Sequence, residues 1–324
     1  MAEHLGSGAV EYLVAKDLVS TSYRPPTAGS AIAMHASSVT HHRLDLDGVE
    51  VFYRAAGPQD APVVLLPHGY PCSSYEFRAY MPLLADRWRL VAPDFPGCGY
   101  SATPDGFPYH FDGYADFLKR FTERLGIDRF ALYLHDFGSQ IGLRLAIAQP
   151  QRITALILQN GDIYEDQLGP KYAALQQFFA NPTPQAQAEL ADAVSLKGFE
   201  EEFLNEVDTE MAMRIPPDLW HLHWALMTPR RREIATKVIA GLKDNLAWFP
   251  RYQAYLREHQ PPTLIVWGPC DGYMPEGSAR AYLRDLPNAE LHLFDDGGHW
   301  LLETHLDQVA DLSRDFLERV HGQQ

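Results

Sequence analysis

Six short apolar runs, each closed by turn residues, constrain this chain more than any other feature. They cover residues 63–66, 90–92, 130–134, 155–158, 264–267 and 291–294. Short, nearly continuous apolar runs are what strands buried on both faces look like. Helical patterns stand between several of them, as at 114–125 and 140–148. Strand and helix in repetition predict a parallel sheet with helices on both faces. Ahead of these runs, residues 43–46 and 49–55 alternate around Asp47-Gly48, a hairpin signature. The expectation is an α/β fold with a mostly parallel eight-stranded sheet.

The rhythm breaks over 162–259. That stretch is helix-rich and carries many aromatics, among them Phe178, Phe179, Trp220, Trp224, Trp248, Phe249, Tyr252 and Tyr255. A helical insertion inside a parallel sheet reads as a cap over an active site, with most of its aromatics packed as core. The expected organisation is an N-terminal arm over 1–40 with one short helix around 10–19, a core over 41–161 and 260–324, and a cap over 162–259.

The formal net charge of −15 argues against nucleic acid or an anionic membrane surface as partner. No apolar run approaches the roughly 20 residues that span a bilayer, and no basic-then-apolar leader opens the chain. Cys72, Cys98 and Cys270 are too few and too scattered for a disulfide framework or a zinc site. Free thiols, no metal, no cofactor and a cytoplasmic location are expected. The cap and the arm are both candidate surfaces for a homodimer.

The run at 130–134 leads straight into His135-Asp136-Phe137-Gly138-Ser139 and then a helix. A strand, a sharp turn and a helix make the setting of a nucleophile elbow. Asp136 holds the nucleophile position, with Leu134 where a small residue is usual. Ser139 lacks the glycines that a serine elbow needs and reads as a hydrogen-bonding residue at the helix start.

Five segments together resemble the α/β-hydrolase superfamily, in its branch of epoxide hydrolases and haloalkane dehalogenases. They are His68-Gly69-Tyr70-Pro71, Asp94-Phe95-Pro96-Gly97-Cys98-Gly99-Tyr100-Ser101, His135-Asp136-Phe137-Gly138, Gly268-Pro269-Cys270-Asp271 and Gly298-His299. The resemblance implies an α/β-hydrolase fold with a helical cap. It also implies an aspartate nucleophile, an acid after the seventh strand and a histidine after the eighth. Backbone N–H groups of Tyr70 and Phe137 would form the oxyanion hole.

The chemistry fits those residue types. A carboxylate is ionised at neutral pH, so Asp136 needs no base before attacking an electrophilic carbon. The resulting ester needs an activated water, a task suited to His299. Asp271 would hold the imidazole in the right tautomer. Asp162, just after the sixth strand, is the alternative acid. His68 and His135 read as packing under the site, and Asp94 as ordering the Pro96-Gly97 turn.

The resemblance leaves two leaving groups open. Epoxide opening draws on cap tyrosines, and Tyr164, Tyr172, Tyr252 and Tyr255 are the candidates. Dehalogenation needs N–H donors around a halide. Phe137 and Tyr70 stand where similar dehalogenases carry tryptophan and asparagine, so only Trp220, Trp224 or Trp248 could supply a donor. Epoxide hydrolysis to a vicinal diol is therefore favoured, on a small hydrophobic organic substrate with water as co-reactant. Haloalkane dehalogenation comes second, and a ligand-binding protein without hydrolysis third.

Overall fold

The structure is a computed structural model and describes residues 38–322 apart from Pro182. The helix expected around 10–19 lies outside the described residues. Eight strands form one sheet: β1 (Thr40–Leu46), β2 (Val49–Ala56), β3 (Val63–Leu65), β4 (Arg89–Pro93), β5 (Phe130–His135), β6 (Ile153–Gln159), β7 (Thr263–Trp267) and β8 (Glu290–Leu293). Their order is β1-β2-β4-β3-β5-β6-β7-β8. The pairs β1/β2 and β2/β4 are antiparallel, and the remaining pairs are parallel. The Asp47-Gly48 hairpin forms in the expected register, with both turn residues at positive φ.

The apolar runs divide between two faces at a period of two. Leu65, Val91, Leu132, Leu134, Leu156, Leu158 and Ile265 belong to one core cluster. Val64, Leu90, Ala131, Tyr133, Ala155, Ile157, Leu264 and Val266 belong to the other. Both faces are therefore dry, as continuous apolar strands require. The helix Phe111–Arg124 buries Phe117, Leu118 and Phe121 in the first cluster. The helix Leu306–His321 closes the second with Val309, Ala310, Phe316 and Leu317, one stripe at helical spacing.

Between β6 and β7 the described chain is helical, with Pro170–Ala180, Pro184–Ala193, Leu196–Leu204, Asp218–Ala225, Pro229–Ala240 and Phe249–His259 as its longer helices. Local chemistry sets several starts. The Thr183, Ser195 and Thr228 side chains accept from backbone N–H groups of the first turn, and Pro184 and Pro229 open their helices. One arginine ties this layer to the loop after β4. Arg231 donates to the Gly99 carbonyl (2.7 Å), the Ser101 carbonyl (2.7 Å) and the Thr103 hydroxyl (3.0 Å). No helix among the described residues is long and apolar enough to cross a membrane.

Candidate active site

Strand β5 delivers Asp136 at the C-terminal edge of the parallel strands, where open α/β sheets bind ligands. The backbone there turns sharply: Asp136 has φ +47°, and its N–H donates to the Asn160 carbonyl at 3.1 Å. The large residue at position 134 is accommodated by Gly142. A β-carbon on Gly142 would lie 2.4 Å from Leu134 Cδ2, so the missing side chain is the room that Leu134 fills. Ser139 departs from the expected hydrogen-bonding role. It is fully buried against Gly161, and its hydroxyl has no partner among the described residues.

The two expected backbone donors both reach the Asp136 carboxylate. Tyr70 N–H donates to Oδ1 at 2.5 Å, and Phe137 N–H also bonds the carboxylate. Oδ2 lies 3.7 Å from His299 Nε2, beyond direct hydrogen bonding. His299 Nε2 is buried, turned toward Asp136, with no hydrogen-bond partner among the described residues. On the other side of the ring, Nδ1–H donates to Asp271 Oδ2 at 2.7 Å.

Asp271 is held on every side. Asn160 Nδ2 donates to its Oδ2 (2.8 Å); Tyr273 N–H (2.9 Å), Met274 N–H (3.1 Å) and Asn205 Nδ2 (3.1 Å) donate to its Oδ1. Asn205 belongs to the helical layer between β6 and β7, directly after the helix Leu196–Leu204. Asn160 sits at the end of β6 and also bonds both backbone groups of Gly268. The sequence reading missed both asparagines, which carry no motif of their own.

Burial opposes charge on His299, but Asp271, Asp136 and Glu202 together outweigh it and raise its pKa to about 9. Burial would push Asp271 up, yet His299, Asn160 and the Tyr273 N–H hold it well below the carboxylate range. Asp136 is raised by burial, against the pull of His299, His135 and its two backbone donors.

Asp162, the alternative acid, is not beside the imidazole. Its Oδ1 accepts from Gln140 Nε2 at 2.9 Å, and burial raises its pKa to about 7. It sits under Tyr172 in a buried polar chain that runs through Gln140 to Asn245 and Arg144. His135 bonds Glu76 (2.6 Å) and the His299 carbonyl (3.0 Å), fixing the loop beneath the imidazole. His68 Nδ1–H donates to the Gly69 carbonyl (2.8 Å), while Nε2 accepts from Phe95 N–H (3.1 Å). Asp94 accepts from Ser74 N–H (2.8 Å) and Tyr100 N–H (2.7 Å) and thereby orders two loops.

A cavity of about 350 Å³ lies over Asp136, walled by Tyr70, Phe137, Lys171, Tyr172, Glu202 and Tyr273, with Leu175, Leu190, Ile239, Leu242 and Met274 between them. A smaller apolar cavity of about 70 Å³ lies behind Tyr70 and Phe137, which wall both. Of the four tyrosines expected from the cap, Tyr172 alone lines the larger cavity. Tyr164, in the loop after β6, is turned away to the buried Asp285 (2.7 Å), Tyr252 bonds Asn245 in the layer below (3.0 Å), and Tyr255 packs on His259. The direction of that loop and the period of the helix Phe249–His259 place these three rings outside the cavity.

Tyr273, from the loop after β7, takes a place that the sequence reading did not give it. The Tyr70 hydroxyl also faces this region, buried and without a partner among the described residues. Trp220, Trp224 and Trp248 are absent from the walls of the cavity over Asp136. Cys72, Cys98 and Cys270 are free thiols.

Known proteins agree with this architecture. The family described as alpha/beta hydrolase fold matches residues 62–306. An uncharacterized hydrolase of Saccharomyces cerevisiae is 33% identical over 278 residues, covering 83% of this chain and 94% of its own. Haloalkane dehalogenase 2 of Mycobacterium tuberculosis is 28% identical over 256 residues, covering 77% and 85%. The solved epoxide hydrolase CorEH shares the fold with a TM-score of 0.70 at 21% identity, covering 87% of this chain and 100% of that one. The chain belongs to the α/β-hydrolase family.

Proposed function

We propose that this hydrolase opens epoxides to vicinal diols through an ester on Asp136. The observation that carries the reading is the kind of donor around the carboxylate. Tyr70, Tyr172 and Tyr273 wall the cavity and no tryptophan does. Phenol hydroxyls suit a ring oxygen that stays on the substrate. A halide leaving alone needs free N–H donors; no indole supplies one here, and the Lys171 ammonium is engaged by Asn205. The apolar walls fit a small hydrophobic substrate.

In this reading Asp136 Oδ2 attacks a ring carbon, the ring C–O bond breaks, and the ring oxygen takes up a proton. Ester formation neutralises Asp136, one of the charges that hold the proton on His299. The imidazole then gives its proton to solvent, which returns it at the end of the cycle, and the neutral ring takes one from the attacking water. Hydroxide adds to Asp136 Cγ, and the negative charge grows on Oδ1 beneath the Tyr70 and Phe137 N–H groups. Collapse expels the diol alkoxide, which recovers the proton from His299. Asp271 keeps the imidazole in place throughout.

Haloalkane dehalogenation remains the second reading because relatives at 28% identity bear that name. The test is mass spectrometry of His299→Gln after incubation with a panel of epoxides and haloalkanes. An adduct equal to the whole epoxide supports ring opening. An adduct lacking the halogen moves the assignment to dehalogenation, and no adduct with either class removes the covalent mechanism.

A further inference from the structure

Glu202 stands on the cap helix Leu196–Leu204 and lines the same cavity as Asp136. The helix is fixed at that point. The Trp300 indole N–H donates to the Glu202 carbonyl at 3.1 Å, and Phe203 packs on Trp300 with ring centroids 4.4 Å apart. Trp300 directly follows His299, so the cap helix is fastened to the loop that carries the imidazole. Among the described residues the Glu202 carboxyl has no hydrogen bond or ion pair.

The groups facing it come from five places. They are Asp136 at the elbow, His299 after β8, Asp271 and Tyr273 after β7, Lys171 on the first cap helix and Tyr70 after β3. Glu201 lines the cavity beside it and pairs with Lys197 at 2.9 Å. Lys171 is engaged by Asn205 at 2.7 Å and so is not a free counter-ion.

We propose that Glu202 is the acid that protonates the departing ring oxygen, while the Tyr70 and Tyr273 hydroxyls orient that oxygen. The assignment rests on the epoxide reading above. The walls support it in a second way. Once Glu202 has given up its proton, its charge, with burial, keeps the Tyr273 proton on, and burial with that charge does the same for Tyr70. Those phenols donate hydrogen bonds but resist giving up a proton. Withdrawal from water raises Glu202 to about 7; His299 and Lys171 oppose the shift, and Asp136 and Asp271 add to it. A carboxyl near the working pH is the better-matched acid.

The protons balance. Glu202 passes its proton to the ring oxygen as the C–O bond breaks and becomes a carboxylate. Ester hydrolysis consumes one water and returns Asp136 as a carboxylic acid. The proton that leaves Asp136 on its ionisation restores Glu202.

The test follows ester formation by rapid quench and mass spectrometry, with styrene oxide as probe, in a His299→Gln background from pH 5 to 10. With Glu202 intact, the rate falls as pH rises above 7. The fall begins later than in the native site, because the missing imidazolium no longer holds the carboxyl down. Glu202→Gln slows the step about 100-fold or more and flattens that limb. Glu202→Asp, which keeps an acid, regains the limb. Tyr273→Phe slows the step but keeps the pH dependence.

An unchanged rate and limb in Glu202→Gln overturns the assignment while leaving the ester mechanism standing. Should that variant fail to fold, a rate that stays flat to pH 10 with Glu202 intact overturns the assignment by itself. No ester with Glu202 intact, from styrene oxide or any other epoxide, overturns the epoxide reading and the acid role with it.

Discussion

Gly69 lies against Asp136 so closely that a β-carbon on it would stand 2.6 Å from Asp136 Cβ and 2.8 Å from Oδ1. The contact is what allows the next residue, Tyr70, to present its N–H to the carboxylate. Gly69→Ala is therefore expected to push the loop and the elbow apart and lengthen that hydrogen bond. Loss of one oxyanion donor typically costs about 10²–10³ in kcat. Ester hydrolysis should slow by that order, with an overpacking cost to stability of about 1–3 kcal/mol. Wild-type rates in single turnover would show that the approach is not needed.

Asp271 holds His299 through a 2.7 Å bond and through its charge. Asp271→Asn should lower the His299 pKa from about 9 and slow release of the ester, so that alkyl-enzyme accumulates. A loss of up to about 10⁴ in kcat is the scale for such a change. Rapid-quench mass spectrometry reads the accumulation directly. An Asp162→Asn variant with the larger defect would move the acid role to Asp162.

The same pair predicts a pH dependence of stability. His299 is raised above its unfolded value of 6.5, so its contribution is full below about 6.5 and is lost as pH rises through about 9. Asp271 is depressed, so its contribution is present above the ordinary carboxylate value of 3.8 and is lost as pH falls through its lower folded value. Thermal melts should show the triad adding stability between those limits. Asp271→Asn should flatten the alkaline side of the curve, and an unchanged alkaline slope would contradict the coupling.

Leu134 and Gly142 should behave as a coupled pair. Gly142→Ala overpacks the space that Leu134 fills and is expected to cost about 1–3 kcal/mol. Leu134→Ala leaves a cavity at a cost of about 2–5 kcal/mol. In the double variant the new methyl occupies part of that cavity, so the combined cost should be less than the sum. Strict additivity in urea melts would show that the two side chains do not compete for one space.

Arg231 makes three bonds from the cap to the loop 99–103. Its removal in Arg231→Ala should loosen the helix Pro229–Ala240 over the smaller cavity, which this residue also walls. A raised KM and faster protease cleavage within the cap are expected. An unchanged KM would place the arginine outside substrate retention.

The sheet was legible because its strands are dry on both faces, which leaves apolar runs with nothing polar to blur them. Asp136, Asp271 and His299 were legible because each follows such a run at the strand end. The cavity walls were less so. Tyr164, Tyr252 and Tyr255 have the same residue type as Tyr172, and only the packing of the helices decides which hydroxyl turns inward. Glu202 and Asn205 sit on a helix and its exit with no spacing that distinguishes them from surface residues. Tyr273 lies two positions after Asp271, but its ring direction depends on a loop that Asp271 itself folds, by accepting the Tyr273 and Met274 N–H groups.

Asn205 crosses from the cap to bond the carboxylate that orients the imidazole. Any movement that carried this helical layer away from the loop after β7 would cost Asp271 a donor and the imidazole part of its support. Reactivity would then be conditional on the layer standing in place over the cavity.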